Sequence, residues 1–224
     1  MFILQFLNNP VGVILFLLSV VIAVSVHEFM HAKTADKLGD PTPELAGRVT
    51  LDPRAHLDPL GSFLFLMVGF GWGKPVPFDP FNLDNPRKDA ALISLAGPMS
   101  NFVMALLGSI IIRLIILFEL YKIDLIGSLL FHPTTQFAGS GFLEIFVYIN
   151  IVLGIFNLLP IAPLDGFKIV GGMLSEHSAR QWYSLERYGI LFLLFFIFPF
   201  AGGRSMLEVF VSPVIGFIIN LFLP

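Results

Sequence analysis

The sequence predicts an all-α polytopic membrane protein with about five to six apolar segments. Of the 224 residues, 56% are hydrophobic and 13% are charged, whereas soluble domains carry about 25% charged residues. Apolar runs near or above the roughly 18 residues that indicate a membrane-spanning helix recur along the chain. The net charge of -3 predicts no nucleic-acid partner, because such a partner requires a basic face. The chain has no cysteine, which excludes disulfides, a thiol nucleophile and a cysteine metal site.

Six apolar runs define the predicted segments, and they cover about residues 11–31, 60–71, 90–118, 142–159, 188–200 and 206–223. The run at 60–71 is too short to cross a bilayer and is predicted to be re-entrant or interfacial. Prolines at 75, 77, 80 and 86 exclude helix in the following stretch and favour an extended segment. The first residues lack the basic region and the cleavage site of a signal peptide, so we expect the first helix to remain in the protein.

Basic residues predict the orientation in the membrane. If the first helix enters from outside and segment 60–71 does not cross, most of the 13 basic residues fall on the cytoplasmic side. The cytoplasmic set is Lys33, Lys37, Arg48, Arg54, Lys74, Arg87, Lys88, Lys168, Arg180 and Arg187. The polar end of the first span then lies toward the cytoplasm.

The first span ends in HEFMH, residues 27–31, which fits the pattern H-E-x-x-H. Residues four apart share one face of a helix, so His27 and His31 can converge on one Zn²⁺. Glu28 can reach a metal-bound water without being a ligand and can take its proton. The alternative is three interior side chains that bond to carbonyls and to one another. Because ionisable groups at membrane depth are costly, the metal site is favoured.

A catalytic zinc needs a third protein ligand and one open position. In a chain without cysteine the candidates are the carboxylates and the histidines His56, His132 and His177. Asp165 is the best placed, because it directly follows an apolar span and prolines at 160 and 163 break the helix before it. The alternative is that Leu-Asp-Gly only turns the chain.

Two asparagines in the apolar runs are further candidates. Asn157 could hold an extended substrate or donate to the oxyanion of a tetrahedral intermediate, and it could equally bond the carbonyls that Pro160 frees. The sequence AGPMSN, residues 96–101, is typical of a small-residue surface where helices pack. Gly97 is therefore predicted to serve packing, whereas Asn101 could join helices or support a ligand.

Three motifs in this order together resemble the site-2 protease family of intramembrane zinc metalloproteases. They are His27-Glu28-x-x-His31, Gly97-Pro98-x-x-Asn101 and Asn157-x-x-Pro160-x-x-Pro163-Leu164-Asp165-Gly166. The stretch GRVTLDPRAHLDPLGSF, residues 47–63, also resembles the loop region of the compact members that lack a PDZ domain. The resemblance covers about residues 20–175.

The resemblance implies a single domain over residues 1–224, with a three-helix catalytic core at about 11–175 and C-terminal apolar segments at about 188–223. It implies one Zn²⁺ per chain, held by His27, His31 and Asp165. Glu28 would be the general base, and Asn157 would help to bind substrate or stabilise the oxyanion. The implied activity is hydrolysis of peptide bonds within or near transmembrane segments of other proteins, in the plasma membrane of a prokaryote with the active site toward the cytoplasm.

The proline-rich segment at 75–81 could offer an edge to an unwound substrate strand. The predicted partners are therefore the lipid bilayer and a transmembrane protein substrate, and no oligomeric state follows from the sequence. The main alternative is a proton- or cation-coupled transporter that uses the same four ionisable groups. It is weakened because the sequence shows no inverted repeat. The third hypothesis is an inactive scaffold. The presence of Glu28 beside both histidines argues against it, because a purely structural zinc site would not need a base.

Overall fold

A computed structural model describes residues 9–68, 71–120, 141–199 and 203–223. Its helices are α1 (Pro10–Lys37), α2 (Thr42–Leu45), α3 (Pro53–His56), α4 (Pro59–Val68), α5 (Pro86–Leu117), α6 (Phe142–Asn157), α7 (Asp165–Met173), α8 (Glu176–Tyr183), α9 (Gly189–Ile197), α10 (Met206–Phe210) and α11 (Ser212–Phe222). Short 3₁₀ turns lie at Pro80–Asn82 and Glu186–Tyr188. Over these ranges the chain is helical and forms no β-strand, in agreement with the predicted all-α class.

Two of the described helices, α1 and α5, are long and apolar enough to cross a membrane. They have 28 and 32 residues, which corresponds to about 42 and 48 Å at 1.5 Å per residue, against a hydrocarbon core of about 30 Å. Helix α1 begins at Pro10, where the Asn9 side chain accepts a hydrogen bond from the Gly12 amide. It ends where Gly39 adopts a φ of 101°, which favours glycine. The helix thus continues past His31, and the whole HEFMH sequence is helical.

The third predicted span is shorter than the sequence indicates. Helix α6 has 16 residues and ends at Asn157, because Pro160 disfavours helical geometry at the residue before it. Helix α4 occupies most of the predicted segment 60–71; it has 10 residues, about 15 Å, so it is too short to cross a bilayer. Residues 69–70 of that segment lie outside the described ranges.

The predicted apolar segment 206–223 is helical but divides into α10 and α11 at Val211. Pro213 lies in the first turn of α11, where its missing N–H and its ring prevent continuation of the preceding helix. The predicted run 188–200 contains the nine-residue helix α9, and residue 200 lies outside the described ranges. The segment after Gly73 forms no helix as far as Asp79, where the backbone is extended, and the 3₁₀ turn at Pro80–Asn82 then interrupts the predicted extended stretch. Gly73 forms an isolated antiparallel bridge with Leu57.

Helix α5 is central to the bundle and contacts α1, α6 and α7. The main apolar cluster joins α5 to α6 and to the C-terminal helices, through Ala105, Ile112, Ile115, Leu143, Val147, Ile151, Ile155 and Val211. The opposite face of α5 exposes large apolar side chains, among them Leu106, Leu107, Ile110 and Ile111. An exposed apolar face of this kind suits contact with lipid.

Candidate metal centre

Three predicted ligands lie together where α1, α5 and α7 meet. His27 and His31 are one turn apart on α1, and Asp165 is the first residue of α7. The Nε2 atoms of the two histidines are 2.9 Å apart, and Asp165 Oδ2 lies 3.1 Å from His27 Nε2 and 3.2 Å from His31 Nε2. Both histidines are buried, and all three ligand atoms fall within 4.8 Å of one another. Among the residues that the structure describes, these three side chains form the one cluster of His, Asp or Glu that could hold a metal ion.

The turn between α6 and α7 brings Asp165 to the histidines. After α6 ends at Asn157, the chain folds back through residues 158–164, where the Leu164 amide donates to the Ile161 carbonyl at 2.8 Å. A Cβ at Gly166 would collide with the backbone of Leu158 and Leu159, so this position requires glycine. The Leu-Asp-Gly sequence therefore does turn the chain, and the same turn directs the carboxylate into the cluster.

The hydrogen bonds behind the rings determine which nitrogens face the cluster. His31 Nδ1 lies 2.6 Å from the Ile93 carbonyl oxygen, and His27 Nδ1 lies 2.6 Å from Asn101 Oδ1. Because both oxygens only accept, each Nδ1 carries the proton and each Nε2 presents a lone pair to the cluster. Two lone pairs and a carboxylate in one buried place favour a cation between them.

The spacing fits zinc. Ligands at 2.0–2.1 Å in a tetrahedron are about 3.3 Å apart, close to the 2.9, 3.1 and 3.2 Å between these atoms. Three protein ligands also leave one position open, as catalytic zinc sites require. The residues present therefore fit the metal that the sequence predicts.

Gly97 brings α5 close to α1, and the atoms it faces are the ligand nitrogens. A Cβ at this position would lie 2.7 Å from His27 Nε2 and closer still to His31 Nε2. The predicted packing role of Gly97 is therefore incomplete. Because glycine has no side chain, it also leaves space beside the Nε2 atoms of the two histidines.

Glu28 lies on the side of the cluster that faces the loop before α5. It is half-buried, and a Cβ on Gly73 would lie 3.4 Å from Glu28 Oε1. Arg48 is buried beside this loop, and its guanidinium donates to the carbonyls of Ala55 and Lys74. Burial lowers the pKa of Arg48, while the negative charge of Glu28 opposes this shift. The Arg48 guanidinium and the Glu28 carboxylate are thus electrostatically coupled.

The other candidates have different environments. His56 is fully buried, with Nε2 donating to the Thr50 carbonyl at 2.7 Å, and His177 lies exposed on α8 beside Gln181. His132 lies outside the described residues. Asn157 uses Nδ2 to donate to the Leu153 carbonyl of its own helix at 3.0 Å.

Asn150 is a contact of the site that the sequence reasoning did not find. It is fully buried on α6, and its Oδ1 accepts from Asn101 Nδ2 at 2.9 Å. Its signal in the sequence is a single amide within the apolar run FVYINIVLGIF.

Comparison with known proteins shows which family the chain belongs to. Residues 15–199 match the model of peptidase family M50. The chain is 34% identical, over 92% of its length and 95% of the relative's, to a Bacillus subtilis protein named "Putative zinc metalloprotease YwhC". It is 31% identical, over 81% of its length and 66% of the relative's, to a Mycobacterium tuberculosis protein named "Putative zinc metalloprotease Rip2". No solved structure matches the chain.

The fold and the site define the class of an integral membrane zinc metalloendopeptidase, and the chain belongs to peptidase family M50, the site-2 proteases. The resemblance inferred from the three motifs is thereby confirmed. The comparisons give no support to the transporter alternative.

Proposed function

We propose that this protease cleaves peptide bonds within or near transmembrane segments of other membrane proteins, with zinc held by His27, His31 and Asp165. One observation carries the proposal. The three ligand atoms converge between two helices long enough to cross a bilayer, so a polar site lies inside an apolar bundle. Such groups at membrane depth are costly unless they have a function.

Zinc bound there supplies a Lewis acid that polarises the scissile carbonyl and lowers the pKa of water. Glu28 is one position round the helix from His27, so it does not compete as a ligand. Its carboxylate takes the proton of the attacking water and passes it to the leaving amide nitrogen. Arg48, whose guanidinium donates to the Ala55 and Lys74 carbonyls, holds the loop beside Glu28 in place.

Asn157 is proposed to bind the substrate. One N–H of its amide donates to the Leu153 carbonyl, and this bond fixes the orientation of the side chain. An amide nitrogen carries two N–H groups, so the second can serve as a donor to substrate. That N–H can donate to a substrate carbonyl or to the developing oxyanion.

The proline-rich segment after Gly73 is proposed to pair, in an extended conformation, with unwound substrate. Alternate residues of an extended chain direct their N–H and C=O groups to the same edge. Pro75 and Pro77 therefore lack donors on one edge only, and Val76 and Phe78 keep complete pairs on the other. Lys168 of α7 lies 5.0 Å from the centre of the Phe78 ring, which links this segment to the helix that carries Asp165. The cytoplasmic orientation of the site remains the prediction from the basic residues.

The test is Glu28→Gln in protein reconstituted into vesicles with a panel of labelled single-span membrane proteins. We expect zinc at the wild-type stoichiometry and cleavage reduced at least about 100-fold, the scale of general-base catalysis. Glu44→Gln, the same change at an exposed position on α2, is the matched control and should cleave normally. Cleavage by Glu28→Gln at the wild-type rate would refute the assigned base.

A further inference from the structure

A chain of buried amides connects three helices to the far side of the His27 ring. Asn150 on α6 donates from Nδ2 to the Phe146 carbonyl at 2.9 Å, and its Oδ1 accepts from Asn101 Nδ2 at 2.9 Å. Asn101 on α5 also donates to the Ala23 carbonyl of α1 at 3.2 Å. Its Oδ1 faces His27 Nδ1 at 2.6 Å. Both asparagines are 0% exposed.

The backbone fixes the direction of every bond in this chain. The carbonyls of Phe146 and Ala23 only accept, so the NH₂ groups of Asn150 and Asn101 must face them. Each amide oxygen then points away, that of Asn150 toward Asn101 and that of Asn101 toward His27. Reversing either amide would set oxygen against oxygen in a buried place, which is strongly disfavoured.

We propose that Asn150 is a positioning residue for His27 and acts through Asn101. The Asn150 amide holds the Asn101 amide in one orientation, and the Asn101 oxygen then holds the proton on His27 Nδ1. The lone pair of His27 Nε2 is thereby kept directed at Asp165 and His31. This inference rests on the proposed zinc site, where a ring with its proton on Nε2 could not be a ligand.

Helix packing alone explains these two asparagines less well. Amides between apolar helices can act as glue, but glue needs only a contact between helices, and this chain of bonds ends on the non-ligand nitrogen of a proposed ligand. Outer partners of metal-bound histidines fix the ring tautomer in this way, and their loss typically costs 10–100-fold in metal affinity. If the asparagines only hold helices together, their replacement should lower stability and leave the tautomer of the His27 ring unchanged. If they position His27, their replacement should change that tautomer.

The first test measures the zinc Kd by competition with a chelator, on the full chain in vesicles. Asn101→Leu should raise the Kd by about 10–100-fold and Asn150→Leu by about tenfold. If Asn150 acts only through Asn101, the double variant should match Asn101→Leu within about twofold, because coupled sites are not additive. Asn220→Leu, the same change at an exposed position on α11, should leave the Kd unchanged. An additive double variant, or an unaffected Asn150→Leu, overturns the proposal.

The second test reads the ring directly, by ¹⁵N NMR of histidine-labelled protein at a pH where the rings are neutral. We expect the proton of His27 on Nδ1 in the wild type, and a loss of that preference in Asn101→Leu. A wild-type ring with its proton on Nε2 overturns the proposal even if the variants do not fold. The two proposals fail separately. Unchanged zinc content in His31→Ala would remove the proposed ligand set, while an Asn101-dependent Nδ1 proton would still support the positioning role.

Discussion

Gly97→Ala should block the metal site with a single methyl group. The added Cβ would lie 2.7 Å from His27 Nε2, whereas non-bonded heavy atoms are best separated by about 3.5 Å or more. The helix or the His27 ring must therefore move by about 0.8 Å to clear His27 Nε2, and a larger shift is needed to clear His31 Nε2, which lies closer to the added Cβ. Displacements of about 1 Å at a reacting centre can cost about 100-fold in rate. We expect zinc affinity to fall and cleavage to drop by about that factor.

Two glycines provide matched controls for this substitution. A Cβ at Gly108, also on α5, would lie 2.7 Å from Val147 Cγ2, so Gly108→Ala creates a similar overlap away from the ligands. A Cβ at Gly216 on α11 has nothing within 4 Å. Overpacking typically costs about 1–3 kcal/mol, so Gly97→Ala and Gly108→Ala should both lower the melting temperature, and Gly216→Ala should not lower it.

The assay pairs metal content with cleavage of a labelled single-span protein in vesicles. Only Gly97→Ala should lose zinc and activity beyond what its stability explains. If Gly97→Ala binds zinc and cleaves as the wild type does, the space beside the imidazoles is not needed and the proposed position of the metal is wrong.

Three further predictions concern charged side chains. Asp165→Asn should weaken zinc binding, since an amide is a poorer ligand than a carboxylate, and metal analysis checks this against Asp84→Asn at an exposed position. Asp40→Asn should lower the free energy of unfolding by about 1–3 kcal/mol at neutral pH, because it removes a buried acceptor. Burial raises the pKa of Asp40, but hydrogen bonds from neighbouring side chains and amides outweigh it and lower this pKa. The contribution is therefore present above about pH 4 and is lost as the pH falls through the lowered pKa, which unfolding measured against pH reports. Arg48→Met should loosen the loop beside Glu28 and lower kcat at normal zinc content.

Different outcomes would contradict each of these predictions. Full zinc content in Asp165→Asn would move the third ligand elsewhere. A stability difference between wild type and Asp40→Asn that stays constant into acid would show that its carboxylate charge is not involved. Normal kcat in Arg48→Met would mean that its bonds to the Ala55 and Lys74 carbonyls do not support the base.

The sequence predicts much of the fold, because the signals for helices are local. Proline and asparagine mark the start of α1, glycine marks its end, and apolar length identifies α1 and α5 as spans. Apolar composition alone does not predict the division at Val211, whereas Pro213 signals it, because proline prevents continuation of the preceding turn. Pro160 likewise explains why α6 ends before the apolar run does, because it disfavours helical geometry at the preceding residue.

Some residues of the candidate site likewise follow from local sequence, and others depend on how the helices pack. His27 and His31 follow from a spacing of four on one helix, which is local geometry. Asp165 is 138 residues from His27, and the sequence predicts it as a ligand only from its position after a broken span. The roles of Gly97 and Asn150 depend on which faces of α5 and α6 meet α1, and no pattern within either helix contains that information.

The sequence by itself determined that this chain enters a membrane and carries a helical pair of histidines with a glutamate between them. Both properties depend on residues that are near one another in the sequence. The free energy of transfer to lipid adds up along a continuous apolar run, and the helical repeat places residues four apart on one face. Only the tertiary structure decided that Asp165 meets both Nε2 atoms, that Gly97 leaves them room, and that Asn101 faces the far side of His27. Contacts between distant residues depend on how whole helices pack, because side-chain shape and buried hydrogen bonds along their full length select the faces that touch.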